Sequence, residues 1–276
     1  MKTAIAFLCK EPHQELIQFA EQIFDNTSFD VYIMTDYDYC EFINVRNYNL
    51  KIVSTSDAMC KQFGYVNSNI SDNATHIKKN PIAYDKALLY FCGIKLDYYD
   101  KVWFIEDDVF IPSVEHLVNL NNRYASCDLI TANNFAKTDN IKDWHWAHIF
   151  DKIEPPYYHS MVCVCGCSRK MLDTIYKYVE KNNTLFYIEA MFNTLAMKNN
   201  LIVADAFELK SIVWQGEWGL DEFLLLPNNL FHPVKATYFH QTYRGAITIS
   251  KQDKDIELIN RLPEFITTHP EFNSNL

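Results

Sequence analysis

The sequence predicts an α/β fold, a central and mostly parallel sheet flanked by helices, and three observations carry that prediction. Short β-branched and aromatic runs alternate with helical patterns through residues 3–110, in the order strand, helix, strand, strand, helix, strand. The run Lys101-Val102-Trp103-Phe104-Ile105 is strand-favouring and does not alternate, as expected of a strand covered on both faces. The chain has 276 residues, 49% hydrophobic and 22% charged, enough to bury a core as one large domain or two small ones.

Taken in order, Thr3 to Leu8 reads as a buried first strand. Leu16, Ile17, Phe19, Ala20, Ile23 and Phe24 recur at helical spacing within 11–24. Asp30 to Met34 and Leu50 to Ser54 are the next strands, ending in Thr35-Asp36 and Thr55-Ser56-Asp57. A polar loop, 67–80, precedes a helix opened by Pro81 and running to about Leu96, with proline in the first turn. After the strand at 101–105, Ser113 to Tyr124 is helical, with Ser113 as N-cap and Glu115 in the first turn. Asp128 to Ala132 is a strand. The segment 133–158 is long, polar and aromatic, and loops of that length tend to be functional. Met161 to Ser168 reads as a strand, 169–179 and 189–197 as helices, and 201–206 as a strand. From Ser211 onward the chain reads as irregular.

A net charge of −10 argues against a protein that binds nucleic acid by neutralising phosphates, though a small anionic ligand needs only a local cation. The eight cysteines form no disulfide framework and no C-x-x-C pair. Cys163, Cys165 and Cys167 alternate, which places them on one strand face as small buried hydrophobes, with a metal or redox role as the alternative. The apolar stretch at the N-terminus is too short for a signal peptide, and no run reaches the ~20 apolar residues of a membrane span. A cytoplasmic, reducing location is the expectation, so the Asn-x-Ser/Thr sites at Asn69 and Asn73 carry little weight.

The chemistry concentrates at Glu106-Asp107-Asp108, where the apolar strand runs into three carboxylates. Adjacent buried carboxylates repel, and a divalent cation relieves that cost; a solvated acidic turn is the alternative. In parallel sheets ligands sit beyond the carboxyl ends of the strands, where Lys10, Asp36, Asp57 and the acidic trio would converge. Neither a G-x-G-x-x-G nor a Walker-type loop occurs, so phosphate binding would fall to a metal with Lys or Arg.

A strand ending in Glu106-Asp107-Asp108 after such an α/β half resembles the DxD-type motif of GT-A fold glycosyltransferases, which use a nucleotide-diphosphate sugar and usually Mn²⁺ or Mg²⁺. The resemblance implies one GT-A domain, with 1–110 holding the nucleotide and 111–276 the acceptor. It makes Asp108 the direct metal ligand, with Glu106 and Asp107 on the ribose or metal-bound water. Asp36 would meet the base, Leu8 and Lys10 the edge of the same pocket, and Tyr84 and Lys86 the nucleotide; a solvated helix lysine is the alternative for Lys86. Glu189, in Tyr187-Ile188-Glu189-Ala190, matches the general base of inverting members, or else stabilises a helix N-terminus. Glu217, beside Trp218, is its rival. His232 would be a further metal ligand and Lys235 a diphosphate contact, with His240 and Arg244 as competitors. Trp144, Trp146, Trp214 and Trp218 offer faces for sugar rings or core packing. The implied partners are a UDP-sugar donor and an oligosaccharide or glycan acceptor, without nucleic acid or a membrane span. The chain also resembles small glycosyltransferases that large DNA viruses use to build surface glycans, including xylose-transferring ones, which would act in host cytoplasm. A retaining enzyme, a sugar-phosphate nucleotidyltransferase, a metal-dependent phosphohydrolase using the acidic trio and a non-catalytic nucleotide-sugar or glycan-binding module are the alternatives. Cys9-Lys10-Glu11-Pro12 lacks the glycine-rich basic loop of the nucleotidyltransferases.

Overall fold

The computed structural model describes residues 1–36, 50–53, 55–69, 80–138 and 144–253, with side chains to residue 250. Cys40, Ser54, Asn73, most of the polar loop 67–80, part of 133–158 and the end of the tail lie outside the described residues. The elements are β1 (Thr3–Cys9), α1 (Gln14–Asn26), β2 (Asp30–Thr35), β3 (Lys51–Val53), α2 (Asp57–Gln62), α3 (Ala83–Leu88) and β4 (Lys101–Glu106). They continue with α4 (Val114–Arg123), β5 (Leu129–Ala136), β6 (Tyr158–Ser168), α5 (Arg169–Asn182), α6 (Ile188–Lys198), β7 (Val203–Asp205), α7 (Leu220–Leu225) and α8 (His240–Asp253).

The strands form one sheet in the order β3-β2-β1-β4-β6-β5-β7. β1 pairs in parallel with β2 and β4, β2 with β3, and β5 with β7. β6 is antiparallel to both its neighbours. The mostly parallel α/β sheet is therefore present, with one reversed strand near its centre. That reversal matters for function, because β6 begins at the edge where β1, β2 and β4 end.

The sheet is covered on both faces. One core cluster joins Ala4, Ala6, Val102, Phe104, Cys165 and Cys167 to α3, α5 and α6; the other joins Ile5, Phe7, Trp103, Ile105 and Val164 to α1 and α4. Two buried faces explain why β1 and β4 read as continuous apolar runs. Gly166 permits a close approach here: a Cβ at that position would lie 2.9 Å from Ile130 Cδ1 and 3.0 Å from the Trp103 ring.

Several expectations change. The helix expected over 81–96 is α3 followed by a wider π turn, Leu89–Ile94, and Asp85 caps its start by accepting from Ile82 N at 2.9 Å. The tail is helical in α7 and α8, not irregular. Phe223 and Ile247 from these helices pack with Phe110 and Phe231, and this tertiary burial overrides a weak local pattern. The three cysteines of β6 do not share a face. Cys165 and Cys167 pack in one cluster, whereas Cys163 packs in the other with Met161 and Val164. The cause is a bulge: Ile130 pairs with Gly166 but Ala132 pairs with Met161, so β6 carries more residues than its partner across that step. No described helix is long and apolar enough to cross a membrane.

Candidate functional site at the carboxyl edge of the sheet

The acidic trio is held by backbone before any side chain acts. Asp107 N donates to Leu8 O at 3.0 Å, tying the turn to the end of β1, and Val109 N closes it on Glu106 O at 3.1 Å. Phe110 and Phe231 then exchange two backbone hydrogen bonds, of 2.8 and 3.0 Å, and Val234 N donates to Asp108 O at 2.8 Å. This short ladder carries 232–235 across to residues more than a hundred positions earlier.

His232 is buried, and its Nδ1 meets Val213 O at 2.8 Å. With Nδ1 committed to a carbonyl, Nε2 is the nitrogen turned to the acids, as second-shell carbonyls orient metal-binding imidazoles. It lies 3.4 Å from Asp108 Oδ1 and 3.7 Å from Glu106 Oε2. Lys235 pairs with the other Asp108 oxygen. One ligand atom each from Glu106, Cys163 and His232 falls within 4.8 Å of the others. Carboxylate, imidazole and thiol together suit a divalent cation.

The charges respond to this crowding. Burial pushes Glu106 up to about 7, and repulsion from Asp108 adds to it. Asp107 rises to about 6 for the same two reasons. Burial would also raise Asp108, but His232 and Lys235 outweigh it and hold the carboxyl at about 2. Burial opposes a charge on His232, yet the neighbouring Asp108 and Glu106 carboxylates raise its pKa.

Along the same edge, Lys10 is exposed, and its charge reaches Asp36. Burial raises the Asp36 pKa, although its carboxylate accepts from Ala83 N at 2.6 Å. Lys86 is not a solvated helix lysine. It is fully buried, with Nζ on Asp36 O at 2.5 Å and 3.0 Å from Asp57 Oδ1. Tyr84 lies in the core beside Phe104 and Phe192, its hydroxyl donating to Val162 O at 2.8 Å. Both side chains therefore build the edge from beneath. His240 and Arg244 lie behind the acidic turn. His240 Nε2 meets Val234 O, and the Arg244 guanidinium stacks over Phe19 at 3.7 Å while Nε donates to Ile111 O. Burial pushes His240 down to about 4 and Arg244 down to about 10.

Next to the acids is a cavity of about 350 Å³, walled by Phe135, Trp144, Tyr187 and Trp214 and floored by His159, Met161 and Glu189. Val213, whose carbonyl orients His232, also lines it. Glu189 sits in the first turn of α6 but is buried, with Oε2 3.4 Å from His159 Nε2. His159 Nδ1 meets Asn133 O at 3.0 Å, and its ring stacks on Phe135 at 4.3 Å. Asn133 can present that carbonyl because it occupies a bulge of β5 at φ +53°, a conformation asparagine tolerates. Cys163 bridges the two regions, since the charges of both Glu106 and Glu189 act on its thiol. Trp146 is core, Trp218 donates to His232 O at 2.9 Å, and Glu217 is exposed.

The structure thus brings Glu106, Asp107, Asp108, His232 and Lys235 together, with Glu189 in the adjoining cavity. Sequence reasoning missed His159 and held a metal role for Cys163 only as the alternative to a buried hydrophobe. A lone histidine carries little sequence signal, and the thiol reaches the acids only through a bulge that alternation cannot reveal.

No family model matches the sequence, and no curated protein matches it. Among solved structures, the chain is similar to mouse xyloside xylosyltransferase 1 in its apo form, at 8% identity and a TM-score of 0.37, over 74% of this chain and 84% of that one.

Proposed function

We propose that the protein is a metal-dependent glycosyltransferase that moves a sugar from a UDP-sugar to a glycan acceptor with inversion, acting as one domain in the cytoplasm. One observation carries the reading: an acidic strand end facing a buried histidine, beside an aromatic-walled cavity that holds a buried carboxylate. The first supplies a cation site and the second a place for a sugar ring and a base. Residues 1–110 would hold the nucleotide and 111–276 the acceptor.

In this reading Asp36 and Lys10, with the Leu8 edge, meet the nucleoside, and Glu106 and Asp107 meet the ribose or metal-bound water. Asp108 and His232 would hold Mn²⁺ or Mg²⁺, which when bound neutralises the diphosphate and favours its departure. Lys235 has a side chain 76% exposed, so it can leave Asp108 for the diphosphate. Glu189 takes the proton of the acceptor hydroxyl as that oxygen attacks the anomeric carbon. His159 neighbours the carboxylate: its Nδ1 is held by Asn133 O, which leaves Nε2 3.4 Å from the Glu189 oxygen. Trp144 and Trp214 supply apolar faces for the acceptor. A small donor sugar such as xylose suits a cavity crowded by aromatic rings.

The test is a thermal-shift screen of nucleotide sugars with and without Mn²⁺, followed by product analysis with Glu189→Gln. A UDP-sugar that stabilises only with metal, and a transfer product that Glu189→Gln abolishes, are expected. Binding without any transferred product would point to the nucleotide-sugar binding module instead. A sugar 1-phosphate and UTP yielding a nucleotide sugar would point to a nucleotidyltransferase.

A further inference from the structure

We propose that Cys163 is a thiolate ligand of the cation held by His232 and the acidic turn, so that the site takes a thiophilic divalent ion such as Zn²⁺ or Co²⁺ in preference to Mg²⁺. The proposal rests on the reading above that this turn binds a cation. The β6 bulge turns Cys163 away from Cys165 and Cys167 and brings its sulfur within 4.8 Å of ligand atoms of Glu106 and His232. His232 Nε2 lies 3.4 and 3.7 Å from the two carboxylate oxygens, longer than the ~2.7–2.9 Å of a charge-assisted hydrogen bond. Those separations match the roughly 3.3–3.7 Å between neighbouring ligands of a four-coordinate ion with bonds of ~2.0–2.3 Å. Magnesium demands oxygen ligands, whereas sulfur and imidazole donors suit zinc and cobalt.

Ligation forms one sulfur–metal bond, breaks the S–H bond and releases that proton to solvent, with no change of oxidation state. Glu106, Asp108, His232 and Lys235 are the charged groups around the thiol from the acidic turn and the 232–235 segment, and the Glu189 charge acts on it from α6. A bound cation deprotonates a coordinating thiol outright.

The experiment is a Co²⁺ titration of the full chain followed by absorption spectroscopy, with Zn²⁺ and Mg²⁺ as competitors. Wild type should show a near-ultraviolet sulfur-to-cobalt charge-transfer band that Zn²⁺ displaces and equimolar Mg²⁺ does not. Cys163→Ser and Cys163→Ala should lose that band while keeping the visible ligand-field bands, and Cys127→Ser, at a half-buried free cysteine just before β5, should keep both. Cobalt bound without the band, or a band that survives both Cys163 variants, overturns the thiolate and leaves the glycosyltransferase reading standing. Failure of Co²⁺, Zn²⁺ and Mn²⁺ to bind at all overturns both.

Discussion

Replacing Lys86 by methionine separates a residue that builds the site from one that touches the ligand. The side chain is fully buried, donates to Asp36 O at 2.5 Å and lies 3.0 Å from Asp57 Oδ1. Methionine fills much the same volume but leaves an unsatisfied carbonyl and an unopposed carboxylate. Breaking a buried ion pair costs about 3–5 kcal/mol. The Asp57 side chain is 26% exposed, so water screens part of that charge and the lower end applies, about 3 kcal/mol including the carbonyl. With a urea dependence of about 3 kcal/mol per molar, the unfolding midpoint should fall by about 1 M. Adding Asp57→Asn to Lys86→Met should recover about 1 kcal/mol, because the two residues couple. Urea unfolding, followed by circular dichroism beside calorimetric titration of the UDP-sugar, reads both effects. A variant with the wild-type midpoint and no nucleotide-sugar binding would refute this account and put Lys86 on the ligand.

Three further outcomes are expected. Saturating Mn²⁺ or Zn²⁺ should stabilise the protein, by about 2.7 kcal/mol at a hundredfold excess over Kd, and Asp108→Ala or His232→Ala should remove the shift; an unchanged shift in both variants would place the cation elsewhere. Glu189→Gln should lower kcat by roughly 10²–10⁴ with UDP-sugar affinity kept, whereas Glu217→Gln should stay near wild type, and the reverse pattern would exchange their roles. In EDTA, stability should decline as pH rises from about 4.5 to about 7, because folded Glu106 retains a proton that the unfolded chain has already released. The displacement from 4.5 to about 7 corresponds to at most about 3 kcal/mol, and with 34% of the side chain exposed to about 1–2 kcal/mol. Urea midpoints that rise between pH 5 and pH 8, or a slope that persists when metal is added, would contradict this.

Much of the fold was legible because it rests on local patterns. The doubly covered strands β1 and β4 announce themselves as unbroken apolar runs, and the spacing of Leu16, Ile17, Ala20 and Ile23 marks the buried side of α1. The acidic trio was legible as chemistry for a similar reason, since its cost is visible in three adjacent letters. Helices α7 and α8 were not legible: their support includes Phe110, distant in sequence and brought to the tail only when the turn exchanges hydrogen bonds with Phe231.

The same distinction explains which parts of the candidate site escaped. Lys86 was placed either on the nucleotide or on a solvated helix face, because helix periodicity does not say that its end is covered by Asp36 and Asp57. His159 and Cys163 depend on two irregularities in neighbouring strands, the αL bulge at Asn133 and the long bulge in β6. Each bulge breaks the two-residue period on which the sequence reading of strands relies. Each also delivers a polar atom to the edge, the Asn133 carbonyl to His159 and the Cys163 sulfur to the acids. Regular pairing would carry an apolar core straight through this region. The departures from regularity convert the end of that core into a set of convergent polar groups, so the residues hardest to read from the sequence are the ones that join the acidic cluster to the cavity of Glu189.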